Sequence, residues 1–112
     1  MNCPAAKPIN IEKTPSSDFD IEIDWTQPWR GLGSDSIASS TWTVSGPDNT
    51  LILHDAGIAD DNLSTSIWMQ NGTLGGPYII TNFITTTGGR KLDTSYTVTV
   101  IPYVFITSPR CI

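Results

Sequence analysis

From Asp18 to Trp25 the chain alternates without a break: Phe19, Ile21, Ile23 and Trp25 fall on one side, Asp18, Asp20, Glu22 and Asp24 on the other. A period of two is the side-chain period of a β-strand, so this stretch predicts a strand with one face buried and one acidic face in water. The same period returns along the chain. From Asp35 to Val44 it places Ala38, Ser40, Trp42 and Val44 opposite Ile37, Ser39, Thr41 and Thr43, and a short strand is expected from Thr50 to His54. Ser64 to Gln70 sets Thr65, Ile67 and Met69 against Ser66 and Trp68. Tyr78 to Thr87 sets Tyr78, Ile80, Asn82 and Ile84 against Ile79, Thr81, Phe83 and Thr85, and Lys91 to Val100 offers Leu92, Tyr96, Val98 and Val100 to a buried face.

Turn chemistry separates these runs. Thr26 to Ser34, with Pro28, Gly31 and Gly33, reads as a corner or one short helical turn. Gly46-Pro47-Asp48-Asn49, Gly75-Gly76-Pro77 and Gly88-Gly89 are breaks, and Asn71-Gly72 is the dipeptide expected of a tight hairpin because both residues tolerate positive φ. A chain of 112 residues has room for one ordinary core. Its 15 Thr and 11 Ser supply β-branched and hydroxylated positions suited to the wet face of a sheet. The expectation is an all-β, immunoglobulin-like β-sandwich of about seven strands over residues 18–102, with an open barrel as the competing architecture. Residues 1–17, punctuated by Pro4, Pro8 and Pro15, read as an extended arm, and 103–112 as a C-terminal docking tail after Pro102. Trp42 is the expected central core residue, accompanied by Tyr78, Phe83 and Tyr96.

The search for chemistry returns little. A net charge of −5 repels a phosphate backbone, and no apolar run approaches the roughly 20 residues of a membrane-spanning helix, so neither nucleic acid nor membrane is an expected partner. The first residues lack the apolar stretch of a secretory leader. His54, the single histidine, stands at a strand end beside Asp55. The row Asp18, Asp20, Glu22, Asp24 has members roughly 6.6 Å apart and reads as a solvated face that discourages edge-to-edge pairing. Asp55, Asp60, Asp61 and Asn62 form a loop cluster without the spacing of a calcium loop. No Gly-x-Ser-x-Gly elbow is present. No catalytic residue, metal or cofactor is expected. Four tryptophans exceed what one small core uses; Trp25 and Trp68 cap the core ends or stand partly exposed, while Trp29, Arg30, Tyr103 and Phe105 are the candidate interface anchors. Cys3 and Cys111 lie at opposite ends of the chain, either bridged or free.

The runs Asp20 to Val44 and Gly75 to Val100 carry a resemblance, through Asp24-Trp25, Gly33 to Trp42, Tyr78 with Asn82, and Gly89-Arg90. With these elements the chain resembles the small immunoglobulin-like virion proteins of tailed bacteriophages known as fibre-tail adaptors. The resemblance implies a non-enzymatic sandwich built into the virion near the neck or tail in symmetric copies. Its partners would be connector, tail or fibre subunits, and assembly in the host cytoplasm would leave the two cysteines as free thiols. Pro28 and Trp29 enlarge the corner relative to the family pattern, and Gly46 to Asn62 is generic. Two other readings remain: a capsid cement or decoration protein of the same fold, and a carbohydrate-binding module using Trp25, Trp29 or Trp68 as a stacking platform.

Overall fold

The computed structural model describes residues 10–102. Seven strands form in the order β1 (Asn10–Lys13), β2 (Asp18–Asp24), β3 (Ile37–Ser45), β4 (Leu51–Ile58), β5 (Ser64–Asn71), β6 (Tyr78–Thr86) and β7 (Lys91–Val100), with a 3-10 turn at Pro28–Arg30 between β2 and β3. They make two sheets, β1-β7-β6-β3 and β2-β5-β4, antiparallel except for β1, which runs parallel to β7. This is the immunoglobulin-like sandwich expected of the alternation. Asn10–Lys13 lies in the stretch read as an arm, yet it pairs with Thr97 to Val100, so the sandwich begins eight residues before Asp18. Lys13 is the reason the junction is tight. Its side chain is buried, and its ammonium donates to the carbonyls of Thr14 and Asn71, each at 2.7 Å. Burial holds that ammonium below the ordinary lysine value, with the charge of Asp18 pulling the other way.

The core has two parts. Leu51, Met69, Tyr78, Ile80, Val98 and Val100 fill one, and Ile23, Trp25, Leu32, Ile37 and Ile84 the other; Trp42 and Tyr96 pack against both. Asn82 lies between them on β6. It accepts from the Thr65 hydroxyl at 2.7 Å and the Trp25 indole at 3.3 Å, and its amide donates to Ser40 Oγ at 2.8 Å and to the Thr41 carbonyl at 3.1 Å. The indole also donates to Thr65 Oγ1 at 2.9 Å. This buried chain ties the two sheets through side chains, each polar group having a partner, which is the condition for a polar network in a core to be tolerated.

Several expectations are corrected. The central tryptophan is Trp25, fully buried, and not Trp42, which is half-buried because β3 is an edge strand whose inward residues reach the open side of the sandwich. Phe83 is not a core residue: the even positions of β6 point between the sheets, so Asn82 goes in and Phe83, at 44% exposure, goes out. Tyr78 is buried as expected, and Tyr96 is half-buried against both parts of the core. On β3 a bulge between Ile37 and Ser39 turns Ile37 inward, against the parity read from the sequence. The strand expected to stop at His54 continues through an irregularity to Ile58. Asn71 and Gly72 do adopt positive φ, 64° and 104°, but they carry the chain from one sheet to the other and make no hairpin.

Candidate docking site

The corner between β2 and β3 is built outward from Trp25. Pro28 starts the 3-10 turn with its fixed φ, and Gly31, at φ 89°, ends it in the left-handed conformation. Arg30 folds back over the core: its guanidinium lies 5.7 Å from the Trp25 ring centroid and donates to Thr94 Oγ1 at 3.1 Å and Tyr96 Oη at 3.2 Å on β7. Arg90, from the turn before β7, reaches across and donates to the carbonyls of Gly31 at 2.9 Å and Leu32 at 3.0 Å. Leu32 is buried beneath. On the far side of the corner Asp35 accepts from the Ser36 and Gly88 amides and the Thr87 hydroxyl, fastening the corner to the β6–β7 turn. Hydroxyls of Thr86 and Thr87, then the Ser36 amide, hold the Asp35 carboxyl well below the usual carboxylate range.

What this fastening leaves outside is Trp29, 75% exposed and the most exposed large apolar side chain among the described residues. A corner pinned at Arg30, Arg90 and Asp35 has lost much of its backbone freedom before any partner arrives, which lowers the cost of ordering that segment on binding. Of the four anchors expected, the structure separates Trp29 from Arg30, one facing solvent and the other turned onto β7. Tyr103 and Phe105 lie outside the described residues, as do Cys3 and Cys111.

The outer faces of the two sheets differ in chemistry. On the three-stranded sheet the carboxylates of Asp18, Asp20, Glu22 and Asp24 line β2, all exposed, beside Trp68 at 38% exposure. His54 on β4 bonds Asp18 at 2.8 Å and Asp55 at 2.9 Å, and these bonds, Asp18 first, raise its pKa above 6.5. The outer face of the four-stranded sheet carries hydroxyls, among them Thr41, Thr43, Thr81 and Ser95, around the exposed Ile79 and Phe83. Parity alone places Trp68, Ile79 and Phe83 on outward faces, and of the three only Phe83 is expected in the core, on its apolar character.

Among the described residues no grouping of His, Cys, Asp or Glu has the arrangement of a metal site, and the loop acids Asp60 and Asp61 do not converge on one. His54 with its two carboxylates has no hydroxyl or thiol nucleophile bonded to it. A cavity of about 290 Å3, lined by Ser40, Ala56, Gly57 and Ile58, opens between β3 and β4 and holds no ionisable side chain. The residues that carried the sequence resemblance have structural tasks here: Trp25 and Asn82 join the sheets, Asp35 and Arg90 fasten the corner, and Tyr78 fills the core.

Comparison with curated proteins gives no match. Among solved structures the chain is similar to the crystal structure of the cysteine protease inhibitor EhICP2 from Entamoeba histolytica, at 18% identity over 82% of this chain and 84% of that one, with a TM-score of 0.46. The family model described as podophage GP4 fiber-tail adaptor protein gp77 matches residues 13–99, from the buried Lys13 to Thr99 on β7, which pairs with Glu12 on β1. With most of its length in that match, the chain belongs to the family of podophage fibre-tail adaptor proteins.

Proposed function

We propose that this protein joins the tail or connector to the fibres at the neck of the particle, in symmetric copies assembled in the host cytoplasm, with the sandwich as a rigid spacer between its contacts. Membership in a family of fibre-tail adaptors supports reading the protein as a virion component whose neighbours are tail or fibre proteins and whose role is structural. The observation that carries the finer reading is Trp29: an exposed aromatic on a corner held by three charged side chains is the form of a preorganised anchor. The terminal segments 1–9 and 103–112, with Tyr103 and Phe105 in the latter, are the further contacts this reading assigns.

The test is complementation of a phage lacking this gene with Trp29→Asp. No side chain of the 3-10 turn is buried, so the variant is expected to fold. Particles should form with the protein or the fibres missing in electron micrographs; normal fibred particles at wild-type titre would remove Trp29 from the reading. Removal of residues 1–9 is the companion experiment. The cut stops there because deleting through Ser17 would also take out β1 and Lys13.

A further inference from the structure

The sandwich has four edge strands, and three are blocked. β2 carries its row of carboxylates, β1 is four residues long, and β4 is interrupted between His54 and Gly57. β3 is different. Its nine residues, Ile-Ala-Ser-Ser-Thr-Trp-Thr-Val-Ser, contain no charge, proline or glycine, and beyond its bulge at Ile37/Ser39 it pairs regularly with β6 from Ser39 to Ser45. Among the described residues no strand pairs with its other side. Beside it lies the cavity of about 290 Å3 between β3 and β4, with Val44 and Ile58 both exposed along this side. Natural sheets seldom leave a long uncharged edge unprotected unless something pairs with it.

We infer that the free edge of β3 receives residues 103–107 of a neighbouring copy as an added strand, so that copies are joined head to tail. The inference rests on the reading of the tail as a docking element. Tyr103-Val104-Phe105-Ile106-Thr107 is a run of strand-forming, uncharged residues that matches the uncharged edge, whereas the first nine residues contain Pro4, Pro8 and a lysine. β7 ends at Val100, and ten residues follow Pro102, enough to extend about 33 Å. At that end of β7 the β5–β6 connection lies alongside, its Gly75 amide bonding the Val100 carbonyl at 2.8 Å. A contact between two different surfaces of one chain propagates around a ring if the rotation closes, which is the symmetry an adaptor needs.

The purified full-length protein under reducing conditions is sufficient for the test. Sedimentation across a concentration series should show the weight-average mass rising by about two-fold or more over one chain. Two full-length variants, Val44→Lys on the edge and Tyr103→Asp/Phe105→Asp in the tail, should each stay at one chain while keeping the wild-type circular dichroism. A fluorescent peptide of residues 103–110 should then bind the tail variant saturably and fail to bind Val44→Lys. A wild-type chain that remains monomeric overturns the inference, and peptide binding to the tail variant alone would then place the tail on its own β3. Undiminished self-association of either variant also overturns it. None of these outcomes depends on Trp29 or on fibre attachment, so the adaptor reading fails or stands separately.

Discussion

At the corner end of the sandwich Asp35 gathers the Ser36 and Gly88 amides and the Thr87 hydroxyl; at the opposite end Asp48 takes the Tyr78 hydroxyl, the Thr50 hydroxyl and the Thr50 amide. Both carboxyls are held well below the ordinary range by hydroxyl donors, Thr86 and Thr87 for Asp35, Tyr78 and Thr50 for Asp48. The donors differ in what stands behind them. Tyr78 is a fully buried core residue that also accepts from the Thr73 amide at 2.9 Å, and Gly46 sits so close to its ring that an added Cβ would fall 2.4 Å from Cδ2. At the corner the donors are the small hydroxyls of Thr86, buried at the end of β6, and Thr87, exposed in the turn. One end is therefore tied to a large core ring, while the other is fastened around a corner whose most prominent side chain is left free. An anchor and a core are served by the same device, a turn carboxylate accepting several hydrogen bonds.

The largest expected effect lies where the corner meets the core. Trp25→Ala removes a fully buried indole, the surface under Arg30 and a donor to Thr65 and Asn82, and should cost about 3–5 kcal/mol in denaturant unfolding. A cost below about 1 kcal/mol would show that the corner half of the core contributes little to stability. Next comes the comparison itself. Tyr78→Phe leaves the Thr73 amide and Asp48 without the phenol and should cost about 1–3 kcal/mol, whereas Thr87→Val at the corner should stay within about 0.5 kcal/mol. Equal costs would make the two ends equivalent.

The strands and most of their faces could be read from residue order, because Phe19, Ile21, Ile23 and Trp25 alternate with acids, and because Leu92, Tyr96, Val98 and Val100 share a parity. What escaped was decided by partners far along the chain. Parity puts Asn82 on the face of Tyr78, Ile80 and Ile84, but no local pattern announces that Thr65, Trp25 and Ser40 converge on it there from three other strands or their ends. Lys13 is buried because Asn71, distant in sequence, offers its carbonyl. A bulge resets parity on β3 without any glycine to signal it. The site was legible only in part: Trp29 stood out as a surplus tryptophan in a turn, but Arg30, read as its companion, turns inward because Thr94 and Tyr96 accept it there.

Acid titration sharpens the contrast between the ends. A carboxyl with a depressed native pKa adds stability that is fully present above the ordinary value of 3.8 and is lost as the pH falls from there down through the native value. Unfolding free energies measured from pH 7 downward should therefore fall in the wild type and fall less in Asp48→Asn and in Asp35→Asn. The flattening should be greater for Asp48→Asn, whose carboxylate bonds a buried core side chain. The reverse order would mean that the corner, not the Tyr78 end, governs unfolding in acid.

The smallest effect has the opposite sign and belongs to neither end. His54 on β4 bonds Asp18 on β2 across the intervening β5, tying the two edges of the three-stranded sheet. Its pKa is raised above 6.5 by Asp18 and then Asp55, so the link is fully present below 6.5 and is lost as the pH rises through the native value. Because this is the only histidine, its ring protons report the titration in a single NMR series without assignment. Asp18→Asn should bring the midpoint back toward 6.5, with only a slight change in melting temperature at neutral pH because the group is exposed to solvent. A wild-type midpoint at or below 6.5 would show that the row of carboxylates on β2 stands free of β4. Stability on the acid side would then be left to the two ends alone.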